Sequence, residues 1–163
     1  MGNSKSHYLT KDDILELSFY LPDMTIETAE LNGYVYSDSY GAAIYSKGSV
    51  QYVFYDVEGT PNLISVISNE DDIQVMGIKI NDTFEEALTK LPIEFIWNEN
   101  QAYLIYGKMP SETDDIYPAH GNANINANGT GTITLVPEGL YPFVQFIFNE
   151  FKVIKINIIC SDL

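Results

Sequence analysis

The segment NINANGTG, residues 124–131, has the spacing of a calcium loop: Asn124, Asn126 and Asn128, then Gly129. Such a loop holds its cation through oxygens at alternate positions and closes on a bidentate acid at position 12. Here the alternate positions are neutral amides and position 12 is Leu135. An Asn-Gly hairpin turn accounts for the segment better. Two acid clusters, ETDD (112–115) and NEDD (69–72), read as solvated loop acids before they read as cation ligands. His7 and His120 are the two histidines. A Ser-His-Asp triad would need His120 held by a buried acid beside a nucleophile on a G-x-S-x-G turn, and the chain has no such turn. Paired carboxylates can run acid–base chemistry, but no spacing selects a pair. Cys160, the single cysteine, leaves no intrachain disulfide; its setting, INIICSDL, suits a small buried hydrophobe and lacks the positive neighbours of a reactive thiol. Trp97 in FIWNENQAY reads as core, or as an exposed anchor for a partner. These residues point away from catalysis, and no cofactor or metal is expected.

The chain around them has 163 residues, 45% of them hydrophobic and 13% aromatic. That supports a real core, in one domain or two small ones sharing a sheet. Its 12 Tyr and eight Phe favour strands. The formal charge is −15, from 23 acids against eight bases that are all Lys. Without Arg there is no bidentate phosphate clamp, and this much negative charge repels nucleic acid and anionic lipid. No apolar run reaches the roughly 18–20 residues of a membrane span. The opening MGNSKSHYLT is small and polar. It resembles the tether that follows the lipid-bearing Cys of bacterial lipoproteins. Residues 1–8 are therefore expected to be a flexible tether on an extracytoplasmic, lipid-anchored protein. The alternative is a cytoplasmic protein whose native start is Met1.

The elements that must carry any site read as two copies of one plan. Shifted by 70 residues, Asp12–Ser37 lands on Asp82–Gly107, with Leu21-Pro22 on Leu91-Pro92 and Tyr36 on Tyr106. Shifted by 94, VQYVFYDV (50–57) lands on VQFIFNEF (144–151); at 92, ISVISNE (64–70) lands on INIICSD (156–162). The changed offset puts a 24-residue insertion, expected as an added hairpin or loop of the second repeat, within about 108–142. Each copy starts with a helix. Thr10 caps the first, with Asp13 three residues on and Ile14, Leu17 and Leu21 facing inward. Asp82 or Thr83 caps the second, whose Phe84, Ala87, Leu88 and Leu91 make one apolar face before Pro92. Strands are predicted at 30–37, 42–47, 49–57 and 62–68, then at 93–98, 101–107, 131–136, 142–151 and 153–160. Spaced this closely, they must pair antiparallel. Alternation puts Val50, Tyr52, Phe54 and Val144, Phe146, Phe148 under the helices. Gln51, Val53, Tyr55, Ser65, Ile67 and Gln145, Ile147, Asn149, Asn157, Ile159 then look the other way.

GIKINDTFEEALTKLP, residues 77–92, resembles the signature of the β-lactamase-inhibitor-protein-like and small outer-membrane-lipoprotein domains. Asn81 stands where that pattern has a turn glycine, and the disulfides of the inhibitor are impossible here. The resemblance implies an α+β fold: two tandem helix-plus-antiparallel-strand repeats, 9–76 and 77–163, forming one continuous sheet with helices on one face. It also implies a non-enzymatic protein-binding module whose open sheet face meets the partner. On that face we expect Gln51, Tyr55, Gln145 and Asn149 near the centre and Tyr45 and Trp97 at the margins. The acidic composition predicts a partner with a basic surface. It also leaves an alternative, a cytoplasmic acidic inhibitor, immunity protein or nucleic-acid mimic. If the insertion instead folds over the open face, the same residues become ordinary core.

Overall fold

The computed structural model of the protein describes residues 7–92, 94, 96, 97 and 102–161. The helices begin where side chains can cap them. Thr10 opens α1 (Lys11–Leu15): its N–H donates to Asp13 Oδ2 at 2.8 Å, and Asp13 N–H donates back to Thr10 Oγ1. Thr83 opens α3 (Phe84–Thr89) through the same reciprocal pair with Glu86. The Thr83 N–H holds the Glu86 carboxyl below its usual range. Between them lies α2 (Ile26–Leu31), capped by Thr25.

The strands are β1 (Val35–Ser39), β2 (Ala42–Lys47), β3 (Val50–Val57), β4 (Thr60–Ser68), β5 (Gln74–Val75) and β6 (Ile78–Lys79). They continue with β7 (Ile96–Trp97), β8 (Ala102–Gly107), β9 (His120–Ile125), β10 (Gly131–Val136), β11 (Phe143–Asn149) and β12 (Lys152–Ile159). β5 and β6 form a separate hairpin. The other ten make one antiparallel sheet in the order β1-β2-β3-β4-β12-β11-β10-β9-β8-β7. A four-strand meander and a six-strand meander thus meet along β4 and β12. The fold is α+β and mostly antiparallel sheet.

One face of the sheet is dry. Tyr52, Phe54, Val66, Phe146, Phe148 and Ile156 share a buried cluster with Ile14, Ala29, Phe84 and Leu88 of the helices. Phe84 meets Phe148 edge to face, centroids 5.1 Å apart. Gly129 joins two turns on this side. Its φ is +85°, and a Cβ there would sit 2.6 Å from the Phe151 backbone nitrogen, so only glycine fits.

Several expectations need correction. The first helix ends at Leu15, and Leu21 is exposed rather than inward-facing; Phe19 and Tyr20 take its place in the core. The segment expected as strand 30–37 is split, with α2 ending at Leu31 and β1 starting at Val35, because Ala29 packs inward from a capped helical turn. Of the strand expected at 93–98, Ile96 and Trp97 form β7, while 93, 95 and 98 lie outside the described residues; β5 and β6 were not foreseen. The hairpin expected within 108–142 is present as β9 and β10, which join the sheet as strands.

The buried Tyr52 hydroxyl ties the segment after α1 to β3. It donates to Phe19 O at 2.6 Å and accepts from Leu21 N–H at 3.1 Å. Burial pushes this phenol up to about 12, so it stays neutral across the physiological range. Tyr52→Phe strands two backbone groups and is expected to cost about 1–3 kcal/mol, read as a lower urea midpoint with an unchanged slope.

Candidate binding face

Among the described residues, no helix packs on the second face of the ten-stranded sheet. Side chains alternate along each strand, and paired residues share a face, so the register assigns its members. Gln51 pairs with Ile67, Ile67 with Asn157, and Asn157 with Gln145; Gln145 pairs with Thr134, and Thr134 with Asn122. These six positions form one row across six adjacent strands. Beside it runs a second row through Ile44, Val53, Ser65, Ile159 and Phe143, apolar but for Ser65 at its middle and with Val53 buried. Gln145 Nε2 reaches Thr134 Oγ1 at 3.4 Å, and Asn124 Nδ2 reaches Thr132 Oγ1 at 3.0 Å. A hollow of about 290 Å³ opens on the row, lined by Gly48, Ser49, Gln51, Ile67, Asn69 and Lys155.

Charge divides the two sides of the sheet. Among the described strand residues of this sheet, Asp38 and Asp56 are the acids, and both fall on the helix side by register: Asp38 pairs with Ala43 and Asp56 with Pro61. Asp56 is used locally, accepting the Gly59 N–H at 2.7 Å within its own turn. Lys152 and Lys155 lie on the open side, opposite Asn149 and Ile147. The open face of a −15 protein is therefore free of carboxylate on its described strands. The expected acidic attraction for a basic partner belongs to the helix side and the loops, not to this face.

The six residues expected to form the site separate into three groups. Gln51 and Gln145 lie in the central row, three strand spacings or about 14 Å apart; Gln51 is exposed and Gln145 half-buried. Tyr55 and Asn149 are on the same face but not near its centre. β3 and β11 run in opposite directions, so half-buried Tyr55 lies toward the β3–β4 turn and exposed Asn149 toward the β11–β12 turn. Tyr45 is on the wrong face. It pairs with buried Tyr52, is 4% exposed, packs on Phe54 and donates its hydroxyl to Glu30 Oε1 at 3.2 Å. Trp97 pairs with Tyr103 in β7, and its side chain lies outside the described residues. Sequence reasoning missed Thr134 and Asn122, whose place in the row depends on strand order, and Lys155, which pairs with Ile147 beside it and lines the hollow.

The sharper motifs have structural roles. Asn126 and Asn128 build the β9–β10 turn: Asn126 N–H donates to Thr130 O and Thr130 N–H to Asn128 Oδ1. His120 is buried, with Nδ1 3.1 Å from Pro118 O. Burial pushes the Cys160 thiol up to about 11, which keeps it protonated and unreactive at neutral pH.

No family model and no curated protein matches the chain. A 1.5 Å crystal structure of an extracellular protein containing a SCP domain, from Bacillus anthracis str. Ames, overlaps 79% of this chain at 11% identity with a TM-score of 0.42; the chain covers 39% of that protein. A likeness at that level carries no argument about this chain.

Proposed function

We propose that this protein is a non-enzymatic binding module that takes a partner protein on its open sheet face. The observation that carries the reading is the composition of that face. A surface meant only for water would be expected to carry acids and lysines freely, as the rest of this chain does. On its described strands this one sets amides and hydroxyls beside Ile44, Val53, Ser65, Ile159 and Phe143 and carries no carboxylate, its charges there being Lys152 and Lys155. Amides and aliphatics in such a mixture resemble the core of a protein interface, where charged residues are depleted.

The finer reading of the fold is a duplication. The matched segments VQYVFYDV and VQFIFNEF are β3 and the β11–β12 hairpin start, and ISVISNE and INIICSD fall on β4 and β12. Those strands lie as two pairs about the β4–β12 seam, and β9–β10 take the place of the inserted hairpin. The polar opening stretch supports an extracytoplasmic setting with a lipid tether. No helix among the described residues is long and apolar enough to span a membrane, a statement that leaves strands aside. The second reading, an acidic inhibitor of a basic target, rests on the −15 charge and would use the helix side and loops instead.

Site-specific photo-crosslinking in the producing cells tests the choice. A crosslinking residue at Gln51 or Gln145 is expected to give an adduct with one protein species, and the same residue at Glu27 or Glu85 on the helix side none. Adducts from the helix side alone would favour the inhibitor reading and end this one.

A further inference from the structure

The described sheet ends on β7 at one side and on β1 at the other. The β1 edge is five residues, Val35–Ser39; it holds no Lys, Pro or bulge, and Asp38, on the helix side, is its one charge opposing edge pairing. Its outward N–H and C=O groups can be satisfied in a ladder only by another strand. Apolar surface gathers at both of its ends: Leu31 is 82% exposed, Val35 69% and Tyr36 56%, and Tyr40 in the β1–β2 turn is 99% exposed. Tyr40 also has φ +49°. That left-handed position favours Asn, Asp or Gly, and a bulky aromatic there is strained. Glu58 holds the same left-handed position before Gly59 in the β3–β4 turn, so what sets Tyr40 apart is an aromatic ring presented wholly to solvent.

We infer that β1 pairs antiparallel with β1 of a second copy of this chain, joining two sheets edge to edge. The occupant follows from the charge pattern of the strand. Centred on Ser37, the pairing sets Val35 opposite Ser39 and Tyr36 opposite Asp38 of the second copy, so no like charges face each other. The Tyr36 hydroxyl then has a carboxylate across the seam. The two-fold also carries Tyr40 of each copy to the end where the other presents Leu31 and Val35. An unrelated basic segment would find one carboxylate, Asp38, along the whole strand, whereas a second copy matches the edge at both ends. The pairing uses the edge of β1, whose Val35 continues the Gln51 row through Ser46, and sedimentation reads it separately from crosslinking on the face.

Two copies at −15 repel one another, and salt must strengthen their association; a basic partner would be released by salt. Sedimentation velocity of the full chain, over about two decades of concentration at about 0.05 M and about 0.5 M NaCl, reads this directly. The expected result is a monomer–dimer equilibrium that shifts toward dimer at the higher salt. Tyr36→Glu, which faces Asp38 of the second copy, is expected to weaken the dimer about tenfold or more, and adding Asp38→Lys to restore it. Tyr40→Asn separates association from folding: it relieves the turn, so the unfolding midpoint rises while the dimer weakens. A monomer at every concentration and salt overturns the inference. So does a dimer that salt dissociates, one indifferent to Tyr36→Glu and Tyr40→Asn, or one that the Asp38→Lys addition fails to restore.

Discussion

Phe148→Ala is expected to lower stability by roughly 3–5 kcal/mol, and Phe54→Ala by a similar amount. Each ring is 2% exposed, on the dry face of the sheet. Phe148 meets Phe84 of α3, while Phe54 meets Tyr45 of β2. Truncating either removes most of a ring's buried area and leaves a cavity that the rigid strands around it close poorly. Tyr55→Ala and Asn149→Ala are the controls from the open face. Asn149 is exposed and Tyr55 half-buried, so their losses are expected to stay well under half of that. Urea midpoints of the four variants decide the matter. A Tyr55→Ala loss equal to that of Phe54→Ala would mean that the second face is core as well, and the proposed binding surface would go with it.

The second large effect is expected at Asp82. Its side chain is 5% exposed; Oδ2 accepts the Lys79 N–H at 3.1 Å and pairs with the Lys90 ammonium at 2.5 Å. The Asp82 carbonyl accepts the Val153 N–H, so the residue links the start of α3 to β12. Lys90→Met leaves a buried carboxylate without its cation. Loss of one member of a fully buried pair costs about 3–5 kcal/mol, and the one-third exposure of Lys90 brings the expected figure to about 2 kcal/mol. Asp82→Asn in the Lys90→Met background removes that orphaned charge, so the double variant is expected to lose less than the two single losses combined. A double-mutant cycle measures the coupling, and additive losses would show that the pair contributes nothing beyond its separate hydrogen bonds.

How much of this was legible beforehand varies with the range of the interaction. The caps were readable because they are complete within four residues: Thr10 with Asp13, and Thr83 with Glu86. The faces of β3 and β11 were readable because alternation of Tyr52 and Phe54 with Gln51 and Val53, and of Phe146 and Phe148 with Gln145 and Ile147, needs no knowledge of neighbours. β2 was not readable in this way. Ala42, Ile44 and Ser46 differ too little in character from Ala43, Tyr45 and Lys47, and the pairing of Tyr45 with Tyr52 is what sends the ring to the core. α2 was missed because six residues around one buried alanine give almost no apolar period. β9, HGNANI, has little strand propensity at all. It forms because Gly121 leaves room for the Tyr106 ring, which a Cβ would meet at 2.7 Å.

Taken alone, the chain determines local matters: which residues cap its helices and which side of the central strands is apolar. Those follow from spacings of two to four residues, where the backbone geometry is nearly fixed. Only the tertiary structure decides that β12 lies against β4. That single pairing, between strands some ninety residues apart, lines up Gln51, Ile67, Asn157 and Gln145 in one row and throws Tyr55 and Asn149 to opposite ends. It also leaves β1 as a bare edge at the far side. Strand order is set by which buried faces fill one core together under the helices, a condition on the whole chain that no short segment carries.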